Sequence, residues 1–180
     1  MEKRIVFTGK CQAELESFKL ENPGRGEVQV RTLVSLMSTG TENIVYNRQF
    51  DAGTGWDAWV KYPFYPGYTC CGVIEKLGEG VAEFKVGDVV VMRRGHASAC
   101  NISVKGDGWN TPFPVPSGIA PEDAAWFGLA KIGAMGARVA KPTLGSGIAI
   151  VGAGPIGQIA IRWCAAAAAF PLVSIDNVQM

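Results

Sequence analysis

At 180 residues the chain can bury one good core and part of a second, and 48% hydrophobic against 18% charged residues excludes intrinsic disorder. A formal net charge of +1, with Arg93-Arg94 as the densest basic pair, gives no electrostatic footprint for nucleic acid. No apolar run is long enough to span a bilayer, and five cysteines without C-x-x-C spacing argue for reduced thiols in cytoplasm.

The N-terminus leads straight into the strand-like Ile5-Val6-Phe7, without the apolar core of a signal peptide. After a turn at Asn22-Pro23-Gly24-Arg25-Gly26, the stretch from Glu27 to Val34 alternates as a half-buried strand. Between Tyr46 and Tyr68 lies a segment rich in aromatics: Phe50, Trp56, Trp59, Tyr62, Phe64 and Tyr65. It reads either as an apolar wall for a sugar ring or flat hydrophobic substrate, or as packing and an oligomer contact. Cys70-Cys71 reads as two small buried hydrophobes on opposite faces of a strand. A strand from Gly72 to Leu77 is stopped by Gly78-Glu79-Gly80, and the turn Val86-Gly87-Asp88 feeds another from Val89 to Met92. Many short strands punctuated by Gly and Pro suggest a small β-barrel or sandwich.

At Ala120 the character changes. Pro121-Glu122-Asp123 is a helix start, and an Ala-, Gly- and Leu-rich segment runs on to about Ala140. The loop from Lys141 to Gly147 ends it. Ile148 to Val151 then reads as a buried parallel strand running into Gly152, Gly154 and Gly157, with a helix from Pro155 to about Ala169. That is the dinucleotide fingerprint in its strand–turn–helix context. Gly152 permits the tight turn, Gly154 lets backbone approach a pyrophosphate, and Gly157 lets helix and strand pack closely. The N–H groups about Pro155 and Ile156 would face the phosphates. A second apolar run, Leu172 to Ile175, ends at Asp176, about 20 residues on, where a carboxylate holds an adenosine ribose. Asp176 favours NAD, with NADP as the alternative, because a carboxylate there repels a 2′-phosphate. A doubly wound domain uses roughly six strands, and only two are legible, so the chain is expected to be part of a longer protein. The expected fold is α/β overall: a β domain over 1–119, a connecting helix and loop over 120–146, and the opening βαβ of a Rossmann domain over 147–180.

Together these stretches resemble the medium-chain dehydrogenase/reductase superfamily, the alcohol-dehydrogenase-like proteins with a GroES-like N-terminal domain. The resemblance rests on Gly26 to Arg31, Gly40-Thr41-Glu42, Pro66-Gly67-Tyr68, Gly72 to Val81, Phe84 to Val90, Pro116 to Ala125 and the fingerprint. It implies a GroES-like β-barrel followed by the truncated start of a Rossmann domain. It also implies a nicotinamide-dependent oxidoreductase acting on a small molecule in a cleft between domains, with a homo-oligomer open to the complete protein. Family members with catalytic zinc hold it through residues whose places here resemble Thr39, Tyr68 and a position near Leu129. Threonine, tyrosine and leucine are not a zinc set. The four-cysteine structural lobe is missing too, since only Cys100 falls between Val90 and Pro116. The expected metal is therefore none.

Without metal, protein donors must polarise the substrate oxygen. Tyr68, at the place of the zinc histidine, is the candidate donor or acid, with space-filling as its alternative. Thr41 matches the hydroxyl that starts the family's proton relay, or else caps a helix. Lys131 donates to substrate or snorkels to solvent. His96, the only histidine, is an acid–base candidate or a structural residue. Glu42 reads as a supporting acid or as exposed charge. The reaction is expected to be hydride transfer between nicotinamide and an alcohol or carbonyl, with low or no activity in the chain as it stands. A zinc-free quinone or enone reductase and a non-enzymatic binding protein are the alternatives.

Overall fold

A computed structural model describes residues 1–106 and 110–177. Contacts divide the chain into two compact units, Met1–Trp126 and Phe127–Met180. The first contains β1 (Glu2–Gly9), β2 (Gln12–Phe18), β3 (Glu27–Ser35), α1 (Thr39–Asn47), α2 (Gly55–Trp59), β4 (Cys70–Leu77), β5 (Val89–Met92), β6 (Ala99–Ser103), β7 (Phe113–Pro114) and α3 (Pro121–Ala124). The second contains α4 (Phe127–Ala140), β8 (Ile148–Val151), α5 (Pro155–Ala166) and β9 (Leu172–Ile175).

In the first unit an antiparallel sheet of order β6-β3-β4-β5-β7 carries the core, and β1 and β2 form a separate hairpin. Isolated bridges, Arg4 to Ala97 and Phe7 to Phe64, tie the hairpin to the rest. The expected barrel is thus a GroES-like β unit whose ladder does not close among the described residues. Period-two alternation explains β3. Val28 and Val30 are fully buried, joining Cys70, Ile74, Val90, Met92 and Ile102 in one cluster. Each buried aliphatic stabilises by about 1.5–3 kcal/mol. Gln29, between the two valines, is also buried, and its amide is satisfied by Glu21 O at 3.1 Å and Asn101 Oδ1 at 3.3 Å. Cys70 and Cys71 are both fully buried, and burial pushes the Cys70 thiol up to about 12.

The aromatic segment packs mainly inward. Phe7, Val45 and Val60 form a second cluster, against which Tyr46, Phe50, Trp56, Tyr62 and Phe64 lie. Phe7 meets Tyr46 edge-on at 5.3 Å between centroids, and Trp59 meets Phe64 at 5.2 Å. Only Trp59 and Tyr65 of this segment are about half exposed, at 54% and 44%.

The second unit has the expected βαβ order. β8 and β9 pair in parallel from Ile148 opposite Leu172 to Val151 opposite Ile175. Ala137, Cys164 and Ala169 pack with Ile148, Ile150 and Leu172. Two boundaries differ from expectation. The connecting helix is two helices, because Trp126 N closes onto Asp123 O at 3.1 Å, a tighter turn that ends α3. The compact units accordingly divide at Trp126. α5 stops at Ala166, three residues early, where Ala168 takes φ +57° and Ala169 N returns to Cys164 O at 3.1 Å. Among the described residues no helix is long and apolar enough to cross a membrane.

Candidate functional site

In the first unit, β3 ends at Ser35, and the chain crosses beside β4 with Leu36 N donating to Thr69 O at 3.1 Å. Ser38 is then the N-cap of α1, but its hydroxyl does not cap. Glu42 reaches back from the first turn instead, its Oε1 accepting from Ser38 N at 2.8 Å. This is the carboxylate half of a capping box, moved one residue along the helix. The Ser38 hydroxyl is thereby left for another partner, and Tyr68 Oη donates to it at 2.6 Å.

Glu42 does a second job with its other oxygen. Oε2 lies 2.7 Å from His96 Nε2, and both side chains are 6% exposed. The other imidazole nitrogen, Nδ1, lies 2.8 Å from Ser35 Oγ. An ionised Glu42 only accepts, so Nε2 carries the proton, and Ser35 then donates to or accepts from Nδ1 according to the ring's charge. His96 is held by its backbone as well: its N–H donates to Pro66 O at 2.9 Å and its carbonyl accepts from Ile5 N at 2.9 Å. Gly67 is what allows this packing. Its φ is +94°, and a Cβ there would sit 2.7 Å from His96 N. The result is one connected set of groups, Tyr68–Ser38–Glu42–His96–Ser35, that orients a phenol. Because Glu42 holds Ser38 through its backbone N–H, proton exchange between hydroxyls is confined to Tyr68 and Ser38.

Of the sequence candidates, Tyr68 and His96 are brought together, joined through Ser38 and Glu42. The supporting-acid reading of Glu42 agrees with its 5% exposure, and the exposed-charge reading does not. Thr41 is not the helix cap, because α1 already begins at Thr39 and Ser38 occupies that place; Thr41 is a half-exposed residue of the first turn. Lys131 lies half-buried on α4 in the second unit. Ser35 and Ser38 are not among the sequence candidates but join this arrangement. The signal for Ser38 was present in the Thr39-x-x-Glu42 spacing, which marks a helix start with a back-reaching carboxylate. Thr39 is exposed and Leu129 is buried and apolar. Among the described residues no group of three or more His, Cys, Asp or Glu is close enough to hold a metal ion.

The second unit carries the glycine-rich turn. Gly152 has φ +96°, and its N–H donates to Ile175 O at 2.7 Å. Gly154 is the N-cap of α5 and Pro155 opens the helix, supplying a preset φ where no N–H is required. A Cβ on Gly157 would sit 1.8 Å from Gly152 O, so only glycine lets α5 start this close to β8. Gly154, Pro155 and Ile156 are exposed, and the N–H groups at the helix start suit a pyrophosphate. Asp176 lies at the end of β9, but its Oδ2 accepts from Ala153 N at 2.5 Å, tying the β9 end to the glycine turn. The residues therefore fit a dinucleotide phosphate cradle.

The sequence profile of the alcohol dehydrogenase GroES-like domain matches residues 24–143. L-threonine 3-dehydrogenase of Pyrococcus horikoshii is 28% identical over 191 residues, covering 89% of this chain and 52% of that protein. Among solved structures, 2R,3R-butanediol dehydrogenase of Bacillus subtilis matches with a TM-score of 0.80 at 16% identity, over 100% of this chain and 64% of that one. CAD of Helicobacter pylori, complexed with NADP(H), matches with a TM-score of 0.77 at 18% identity, over 96% and 58%. These structural likenesses are of fold. The chain spans about half the length of the curated relatives it matches. With the profile covering most of its length and the relatives agreeing, the chain belongs to the alcohol dehydrogenase GroES-like domain family, within the medium-chain dehydrogenase/reductase superfamily that its motifs resemble.

Proposed function

We propose that the chain supplies the substrate-side β unit and the first nucleotide-binding βαβ of a nicotinamide-dependent oxidoreductase that interconverts a small secondary alcohol and its ketone without catalytic zinc. The observation that carries this reading is the Tyr68 phenol donating to Ser38 at 2.6 Å at the place where zinc-dependent members of the superfamily have a histidine ligand. The dehydrogenase relatives and the NADP(H) complex of the Helicobacter protein support the cofactor class.

Gly152, Gly154 and the start of α5 would hold the pyrophosphate, with Gly157 keeping the helix close. Asp176, at the β9 end, favours NAD over NADP by repelling a 2′-phosphate. The bound nicotinamide supplies or takes up the hydride. In the reducing direction the Tyr68 hydroxyl turns from Ser38 to the carbonyl oxygen, Ser38 donating to Tyr68 Oη in its place, and the phenol gives up its proton as negative charge develops there. Ser38 returns a proton to the phenolate and regains one from water. Glu42 and His96 fix Ser38 through its backbone, so the serine oxygen stays in line with Tyr68. Thr41, in the first turn of α1, would supply the relay hydroxyl.

The test is oxidation of NADH and NADPH with a panel of small ketones, using the complete protein that carries this chain, before and after dialysis against a chelator. Turnover should survive dialysis and fall at least about a hundredfold in Tyr68→Phe. NADH should bind at least about tenfold more tightly than NADPH, as one lost or repelled charge contact implies. Activity lost on dialysis and restored by zinc would sink the metal-free reading.

A further inference from the structure

A cleft of about 280 Å³ lies in the first unit, bordered by the β1–β2 hairpin and by β6. Much of its wall is apolar, including Ile5, Phe18, Leu20, Pro66 and Cys100, yet two arginines, Arg4 and Arg94, line it as well. The two are not equivalent. Arg4 has a carboxylate partner: Nε pairs with Glu16 at 2.6 Å, and Nη2 donates to Tyr65 Oη at 3.1 Å. Its guanidinium also lies 4.9 Å from the Phe18 ring centroid and 4.1 Å from that of Tyr65. Glu16 cancels its charge and the two rings hold it as part of the wall.

Arg94 donates only to backbone carbonyls, Arg93 O at 3.0 Å and Asn101 O at 3.5 Å. Among the described residues no carboxylate pairs with it, and no acidic residue lines the cleft. The guanidinium fork has more donors than these two carbonyls take up. Its charge opposes the upward push of burial on the Cys70 and Cys100 thiols. His96 also borders the cleft, but its ring nitrogens are committed to Ser35 and Glu42.

We infer that this cleft binds a small organic monoanion, its carboxylate on Arg94 and its apolar body against Ile5, Leu20 and Cys100. One uncompensated cation matches one negative charge, and a planar carboxylate suits the guanidinium fork. Inorganic phosphate is the poorer match, because a strongly hydrated ion would be desolvated against an apolar wall for a single cationic partner. The site is separate from the Tyr68–Ser38 pair and stands whether or not the proposed reaction does.

The test is an NMR titration of the 180-residue chain with benzoate, benzamide and inorganic phosphate, following the backbone amides of Ala97 and Asn101. Benzoate should give saturable shifts at both residues. Benzamide, the uncharged counterpart, and phosphate should each bind at least about tenfold more weakly, the size of one charge-assisted contact. Arg94→Gln should remove the benzoate preference, whereas Arg94→Lys should keep part of it. Shifts that fail to saturate, equal affinity for benzamide or for phosphate, or a benzoate affinity unchanged in Arg94→Gln would each overturn the site. The benzoate–benzamide comparison needs no variant, so it decides the matter even if a substitution disturbs folding.

Discussion

Glu42 and His96 meet at 2.7 Å with side chains 6% exposed, so removing either leaves the other buried without its partner. Leaving a buried donor or acceptor without its hydrogen-bond partner costs about 1–3 kcal/mol. Glu42→Ala should therefore destabilise the first unit by about that amount in urea unfolding. Glu42→Gln should cost less, since its carbonyl oxygen can still accept from Nε2. A Glu42→Ala loss below about 0.5 kcal/mol, the range of a neutral surface change, would mean that the pair contributes nothing to the fold. At this scale the sequence was partly legible. A tyrosine in a histidine's place and a lone histidine are conspicuous residues. Ser35 and Ser38 are not, because serine is common and only its neighbours in space distinguish one from another.

The elements of the second unit are the most readable part of the chain. β8, the glycine turn and β9 fall where the apolar runs and glycines put them, because each is set by local requirements: an apolar run, a positive φ, a close helix start. The strand expected to be buried, β8, is instead half-exposed, with Val151 at 82%. Gly157→Ala tests that logic. Its Cβ would fall 1.8 Å from Gly152 O, and the obstacle is backbone, which cannot swing aside. α5 would have to move off β8, and NADH affinity of the complete protein should fall at least about tenfold, with the β unit's unfolding unaffected. Unchanged affinity would mean that the cradle is not where the phosphates sit. The first unit was harder to read. β2 carries mostly exposed residues, its Ala13–Leu15 alternation stopping at Ser17, and it is a strand because it pairs with β1 from Glu2 opposite Phe18 onward. β6 is short and mixed, and pairing with β3 from Glu27 opposite Ser103 makes it a strand.

For the whole molecule, the buried thiols link stability to alkaline pH. Burial raises Cys70 from 9.0 to about 12 and Cys100 from 9.0 to about 11. The unfolded chain loses these protons first, near pH 9, while the folded chain retains them. Their stabilising contribution is thus complete below about pH 9 and is lost as pH rises through about 11 for Cys100 and 12 for Cys70. Between about pH 8 and pH 10 each thiol should contribute about 1 kcal/mol of lost stability. A Cys70→Ala, Cys100→Ala chain, less stable at neutral pH, should lose correspondingly less over that interval in urea unfolding. Equal losses in the two chains would show that the thiols ionise alike in both states.

The sequence by itself determined the class of fold, the positions of the apolar strands and the glycine turn. Those features follow from period, from backbone angles and from the size of a missing side chain, all of which are local. It also set the residue types, threonine, tyrosine and leucine, at the places where the family resemblance would put zinc ligands. Only the tertiary structure decided that Glu42 faces inward to His96, 54 positions along the chain, and that Tyr68 donates to Ser38, 30 positions away. Among the described residues it likewise gives Arg94 only backbone carbonyls while giving Glu16 to Arg4. A charged side chain's partner is whichever group the packing of distant segments brings within about 3 Å, and no local pattern encodes that.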